Sequence, residues 1–298
     1  MNFELVRQPA VAGGFYPDDP DVLRAMVDGL LSAVRDEVAA PGAPARTRAG
    51  RLAGLLVPHA GLAYSGLVAA HAWRLLATDP PDTAVLLGTN HAAGWLRGIG
   101  AWDAGAWNSP LGRVQVDEGL AGAIAGLGPG FSVDRAAHSD EHSLEVQLPF
   151  LRRVAPATRI VPLAVSTGTG AAAREVGQRL GRLLAERRAA GERIVLVVSS
   201  DAAHYPAARD AERATEVLLS PLLALDPVGL AEREEGLVTA GIPGLRCGMC
   251  GIEPSVVGLA ALRALGATRG ELLAAATSAD AGGDPRRTVG YIAAAFRA

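Results

Sequence analysis

The chain has 298 residues, 49% of them hydrophobic and 20% charged, with 28 basic against 31 acidic residues and a formal net charge of −3. That much apolar side chain can bury a large core and excludes a disordered chain. The absence of any basic run argues against nucleic acid as a partner. Every basic residue is an arginine, a bias that goes with the many Ala and Gly residues and reads as genome composition.

No apolar stretch reaches the ~18 residues needed to cross a bilayer, and Met1 to Pro17 lacks the apolar centre of a secretion signal. The expectation is a soluble cytoplasmic protein with no membrane partner. Two cysteines, Cys247 and Cys250, are too few and too close together to staple a fold of this size. Their role is local.

In chain order, Leu23 to Val38 carries apolar residues at helical spacing, and Pro41, Gly42 and Pro44 open a polar surface loop reaching Gly50. Leu52 to Val57, stopped by Pro58, suits a buried strand; Gly66 to Ala77 reads as a helix, and Thr83 to Leu87 as a second strand. Gly98 to Val116 is irregular, a loop or short edge strands. Asp140 is placed to cap a helix running through Leu144, Leu148 and Leu151, with Pro149 late in it as a kink or an early end. Arg159 to Val165 is a third strand, Ala171 to Ala190 a long helix, and Arg193 to Ser199 a fourth strand rich in β-branched residues. Helical stretches follow Asp210. A Gly-rich turn surrounds Cys247 to Gly251, a helix spans Ser255 to Leu265, and Thr288 to Ala295 is a last strand.

No repeat and no linker divides the chain, so residues 1–298 are expected to form one domain. Alternating buried strands and amphipathic helices predict an α/β fold of three layers, α/β/α, around a mixed, mostly parallel sheet. In such sheets the ligand site lies beyond the carboxyl ends of the strands.

Of the six histidines, His59, His91 and His204 each fall just after an expected strand, and so converge on one sheet edge. Each alone reads more plainly as a loop residue with an ordinary hydrogen bond. Three at equivalent places suggest a metal site, because two imidazoles plus an anionic donor leave positions open for oxygen or substrate. Asp201, Glu145, Glu253 and the Cys250 thiolate are all candidates for the anionic donor, and spacing does not rank them. Cys247-Gly-Met-Cys250 also admits a redox-pair reading; a two-pair zinc site lacks its second pair.

His142 and Glu145, three apart, can share a helical face and serve in proton transfer or in orienting a ligand. The plainer reading, acids at a capped helix start, is preferred for them. His71, between alanines, reads as structural, and His138 is undecided. Gly168-Thr169-Gly170 before a helix resembles a loose dinucleotide fingerprint, but the acid expected ~20 residues on, at the end of the next strand, does not fall there, Asp201 coming too late, and small residues at a helix start explain it.

Six blocks of sequence carry a resemblance. Gln8-Pro9-Ala10-Val11-Ala12-Gly13-Gly14-Phe15-Tyr16-Pro17, Pro58-His59-Ala60-Gly61, Leu87-Gly88-Thr89-Asn90-His91, Glu141-His142-Ser143-Leu144-Glu145-Val146-Gln147-Leu148-Pro149-Phe150, Ser199-Ser200-Asp201 and Cys250-Gly251 together resemble the Memo family, in its prokaryotic form. The blocks keep the family's order over almost the whole chain. The resemblance implies the fold of the class III extradiol (LigB-like) dioxygenases. It also implies His59, His91 and Cys250 as ligands of one iron or copper ion per chain, in a pocket lined by Asp201, His204 and His142. It further implies a radical-SAM protein and an AMMECR-type protein as partners.

A thiolate stands where the dioxygenases have a carboxylate ligand. Against the family's usual pattern, Glu253 follows the Cys-Gly, Tyr205 replaces a common Trp, and Cys247 is an additional thiol. Glu253 would add negative charge near a metal, and a Cys247–Cys250 disulfide would remove the ligand.

Two functions fit. One is a metal-dependent oxidoreductase acting on a small molecule, with His204, oriented by Asp201, and His142 moving protons. The other is a non-catalytic module whose cleft takes a peptide or protein, with arginines such as Arg97 or Arg113 meeting anionic groups.

Overall fold

The computed structural model describes residues 5–39 and 50–298; apart from Gly50, the loop expected after Pro41 lies outside the described residues. Strands β1 (Val6–Arg7), β5 (Ala106–Trp107) and β6 (Val114–Gln115) form a small sheet, and the rest form a large one: β2 (Leu52–Val57), β3 (Thr83–Thr89), β4 (Gly98–Ala101), β7 (Phe131–Val133), β8 (Arg159–Ser166), β9 (Ile194–Ser199), β10 (Arg269–Thr277) and β11 (Gly290–Arg297). The helices are α1 (Pro20–Ala39), α2 (Leu62–Trp73), α3 (Glu118–Ala125), α4 (Leu148–Val154), α5 (Ala171–Ala189), α6 (Ala208–Leu223), α7 (Pro227–Thr239) and α8 (Ile252–Ala264).

The eight-stranded sheet runs in the order β10-β11-β2-β9-β3-β8-β4-β7. Its centre, β2-β9-β3-β8, is parallel, with Leu56 opposite Val198 and Leu87 opposite both Val198 and Leu163. β11 and β4 join antiparallel on either side. Central parallel strands are covered on both faces, which is why these four read as unbroken apolar runs. Helix α2 packs over β2, β10 and β11, backed by α1 and α4, while α8 lies over β3, β8 and β9 between α5 and α7. This is the three-layer α/β/α arrangement with a mixed, mostly parallel sheet expected from the alternation of elements.

The α5–α8 contact is close because α5 offers no side chain at two turns. A Cβ on Gly177 would stand 2.3 Å from the Val257 carbonyl oxygen, and one on Gly181 would stand 2.2 Å from that of Ala261. That approach sets the position of α8 and of the cysteine turn before it.

Four local expectations are corrected. No helix begins at exposed Asp140: a 3-10 turn over Glu145–Gln147 leads into α4, and Pro149 sits in the first helical turn, where its missing N–H costs nothing. Helix α2 starts earlier than Gly66, at Leu62. The last strand starts later than Thr288, whose N–H instead meets the Pro206 carbonyl at 2.9 Å. Strand β10 was not anticipated, because its Leu- and Ala-rich run favours helix; antiparallel pairing to β11 holds it extended. Among the described residues no helix is long and apolar enough to cross a membrane.

Candidate metal centre

Because β2, β9 and β3 are adjacent and parallel, their carboxyl ends lie side by side. The residues that follow, His59 after β2, Asp201 and His204 after β9, and His91 after β3, therefore meet over one stretch of the sheet edge.

His59 is buried, and its orientation is fixed by a chain of hydrogen bonds. Trp73 Nε1 donates to Gln147 Oε1 at 2.9 Å, which turns the Gln147 amide nitrogen toward the Pro58 carbonyl and Ser199 Oγ, both at 2.9 Å. Ser199 gives its one hydroxyl proton to the Ser143 carbonyl at 2.7 Å. Toward His59 Nδ1, 3.0 Å away, it can then only accept. The imidazole proton is thereby assigned to Nδ1, and Nε2 keeps its lone pair, 3.1 Å from the Cys250 sulfur. Burial, reinforced by His91, pushes the His59 pKa down to about 3.

Glu141 does the same for His91. One carboxylate oxygen accepts the His91 backbone N–H at 2.6 Å, and the other accepts ring Nδ1–H at 3.0 Å and the Ser143 N–H at 2.7 Å. Burial alone would raise the Glu141 pKa, but these donors outweigh it and hold the group ionised, down to about 2. The His142 ring stacks on His91 at 4.5 Å between centroids and meets Phe15 at 4.7 Å. Burial, with His59 adding to it, takes its pKa to about 4.

Cys250 and Asp201 complete the cluster. Asp201 Oδ1 accepts the backbone N–H groups of His59 (2.6 Å) and Ala60 (3.2 Å). Burial raises the pKa of Asp201, and burial together with the Asp201 carboxylate raises that of the Cys250 thiol. Both cysteines are free thiols, and burial pushes Cys247 up to about 11. His204 takes its orientation from the Ala202 carbonyl, 2.8 Å from Nδ1, rather than from an Asp201 hydrogen bond.

All six expected residues, His59, His91, Cys250, Asp201, His204 and His142, line one cleft of about 580 Å³. The donor atoms of His59, His91 and His142 lie within 4.8 Å of one another, and so do those of His59, Asp201 and Cys250. His59 is common to both sets. Donors on a single first-row ion stand roughly 3 to 4 Å apart, and a mix of imidazole nitrogen, thiolate sulfur and carboxylate oxygen suits such an ion. The residues fit a metal.

Other candidates fall elsewhere. The Glu145 carboxylate is sealed away, accepting from Arg7 at 2.6 Å, from Ala10 and Val11 N–H groups and from Tyr16 Oη at 2.6 Å. The partner of His142 is instead Glu141, 3.5 Å from its Nδ1. Glu253 does not charge the cleft: it accepts the N–H groups of Thr167 (2.7 Å) and Gly168 (3.0 Å), and so occupies the glycine loop that resembled a dinucleotide fingerprint. His71 is buried in α2, and His138 is buried with Nε2 on the Gly100 carbonyl at 2.9 Å. Arg97 binds the Gly94 and Leu96 carbonyls, and neither it nor Arg113 lines the cleft. Reading by strand ends missed Phe15, Tyr64, Ser278 and Arg287, which line the cleft from loops and helices, and Tyr291, which lines it from strand β11; only Phe15 fell within a noted block.

The fold and the cluster define an α/β protein with two overlapping groups of potential metal ligands above its parallel strands, His59/His91/His142 and His59/Asp201/Cys250. The chain belongs to the Memo family, since the model of the Memo-like protein family matches residues 7–295. MEMO1 family proteins are similar along nearly their full length. That of Methanopyrus kandleri is 38% identical, covering 98% of this chain and 99% of the relative. That of Aquifex aeolicus is 36% identical over the same shares, and that of Methanothermobacter thermautotrophicus is 35% identical over 96% and 99%. Among solved structures, an uncharacterized protein from Escherichia coli K12 is similar at 18% identity and a TM-score of 0.48, covering 82% of this chain and 99% of its own.

Proposed function

We propose that the chain is a mononuclear metal oxidoreductase in which His59, His91 and Cys250 hold one iron or copper ion, with a small molecule as substrate. The observation that carries this is the pair of oriented imidazoles. His59 and His91 each have Nδ1 committed to a protein acceptor, so both lone pairs lie on Nε2, and the His59 Nε2 faces the Cys250 sulfur at 3.1 Å. When bound, either metal supplies one-electron redox chemistry at an open position.

The chain's own residues do the rest. His204, with Nδ1–H on the Ala202 carbonyl, keeps Nε2 to take a proton from a bound molecule. His142, held neutral by burial, offers a second acceptor beside His91. Phe15, Tyr64 and Tyr291 line the cleft with aromatic rings against which the body of a small molecule can pack.

The test is purification without oxygen followed by metal analysis and electron paramagnetic resonance. About one ion per chain is expected from a single three-ligand site, lost in His59→Ala and in Cys250→Ser. A wild-type protein that takes up neither metal on reconstitution, or a His59→Ala protein that binds as wild type does, would refute it. One observation favours a non-catalytic peptide-binding use of the cleft: Tyr64 and Tyr205 are 48% and 39% exposed at its mouth. Metal-dependent oxygen consumption separates the two, being absent under the binding reading.

A further inference from the structure

Tyr205 has φ +74°, in the left-handed region that a bulky L-residue enters only at a cost of about 1 to 3 kcal/mol. The neighbouring backbone holds it there. The Tyr205 N–H donates to the Thr288 carbonyl at 2.6 Å, the His204 N–H to the Cys247 carbonyl at 3.0 Å, and the Thr288 N–H to the Pro206 carbonyl at 2.9 Å. The result is a ring held at the cleft mouth, with the Arg287 guanidinium stacked on it, 4.3 Å from guanidinium carbon to ring centroid.

Arg287 differs from its neighbour in how its charge is met. Arg286 pairs with Asp284 at 2.9 Å, whereas no carboxylate among the described residues lies within ion-pair distance of Arg287. Among the described residues it is the one arginine lining the cleft. Stacking fixes the plane of its five donors without using them, which readies the group for a planar anion. The cleft already contains the carboxylates of Asp201 and Asp284, so a single unpaired cation balances one further negative charge rather than two. The walls beside it, Phe15, Tyr64 and Tyr291, suit a flat apolar body.

We propose that Arg287, held on the Tyr205 ring, anchors the carboxylate of a planar monocarboxylate substrate whose body extends toward His59 and His91. This deepens the reading of the cleft as a small-molecule site and rests on it. Arg287 is thus the residue that selects for charge.

The test is calorimetric titration with benzoate, benzamide and phenyl phosphate of metal-loaded wild type, Arg287→Gln and Arg287→Lys, and of His59→Ala as purified. Benzoate is expected to bind at least tenfold tighter than benzamide, to weaken about tenfold or more in Arg287→Gln, the value of one charge-assisted bond, and to fall between in Arg287→Lys, which keeps the charge and loses the fork. Because Arg287 is exposed, the variants should melt as wild type does. Three results would overturn the inference: Arg287→Gln binding benzoate as tightly as wild type, benzamide matching benzoate, or wild type preferring phenyl phosphate tenfold. So would no binding of any probe. His59→Ala separates the two readings. Benzoate binding that survives there but is lost in Arg287→Gln upholds the anchor whatever becomes of the metal, whereas loss in His59→Ala alone would put the carboxylate on the metal and end the proposal.

Discussion

Glu141 grips His91 with both carboxylate oxygens, one on the backbone N–H at 2.6 Å and the other on ring Nδ1 at 3.0 Å. His91 is the more exposed of the two histidine ligands proposed, with its side chain one-third accessible, so it depends on this grip for its direction. Glu141→Gln preserves shape but replaces one acceptor oxygen with an N–H donor. Removing an outer partner of a metal-binding histidine typically costs 10- to 100-fold in metal affinity. Competition titration against a chelator under nitrogen should show a loss in that range with the fold intact by circular dichroism. An unchanged affinity would mean that His91 is not a ligand.

Glu145 is the fastener of the N-terminal segment. Its two oxygens take four donors, from Arg7, Ala10, Val11 and Tyr16, and both partners of the Arg7 ion pair are buried. Breaking a buried pair on one side leaves a stranded charge and costs about 3 to 5 kcal/mol. Glu145→Gln should lower the urea-unfolding free energy of the metal-free protein by about 3 kcal/mol. It should also loosen Phe15, carried by the same segment, from His142. A loss under about 1 kcal/mol would show that the Arg7 charge finds other acceptors, the His138 and Glu141 carbonyls being nearest at 2.7 and 2.6 Å.

How much of this the amino-acid order displays differs from place to place. His59, His91 and His204 could be placed together because central parallel strands are continuous apolar runs, and a polar or Gly/Pro residue marks where each leaves the sheet. Cys250 has no such marker; a cysteine on a glycine turn looks alike whether it binds metal or not, and its place came from resemblance. Glu141, Ser199 and Gln147 escaped because their partners are distant in the chain: Glu141 reads as part of a helix cap and Ser199 as a strand end until His91 and His59 lie against them. Strand β10 was hidden by tertiary override, since Leu272 to Ala276 prefers helix until β11 supplies a pairing edge.

His138 ties acid sensitivity to a residue outside the metal cluster. It is fully buried, with Nε2 on the Gly100 carbonyl at 2.9 Å and the rings of Trp102 and Trp107 edge-on to it. Burial lowers its pKa from 6.5 to about 4. The folded value lies below the unfolded one, so between those pH values the unfolded chain binds the extra proton. The stability contributed is whole above pH 6.5 and drains as pH falls toward 4. The full effect is on the order of 3 kcal/mol. Urea unfolding of metal-free wild type and His138→Gln at several pH values should show a shallower dependence on pH in the variant across that window. Parallel curves for the two proteins would assign the acid sensitivity elsewhere.

Gly177 lets the cysteine turn sit where it does. Helix α8 follows Cys250 directly, and α5 approaches it so closely that a Cβ at Gly177 would stand 2.3 Å from the Val257 carbonyl oxygen and 2.9 Å from the Ala260 side chain. The backbone oxygen cannot turn aside as a side chain can, so Gly177→Ala must push the two helices apart, outweighing the helix propensity that alanine gains. Overpacking of this kind costs about 1 to 3 kcal/mol. The displacement should also reach the site, drawing Cys250 away from His59 and weakening metal binding more than the stability loss alone would. Gly122→Ala, at a helical glycine with nothing within 4 Å of the added carbon, is the control and should be neutral or slightly stabilising. If Gly177→Ala unfolds at the same urea concentration as wild type, the α5–α8 spacing is not set by this glycine.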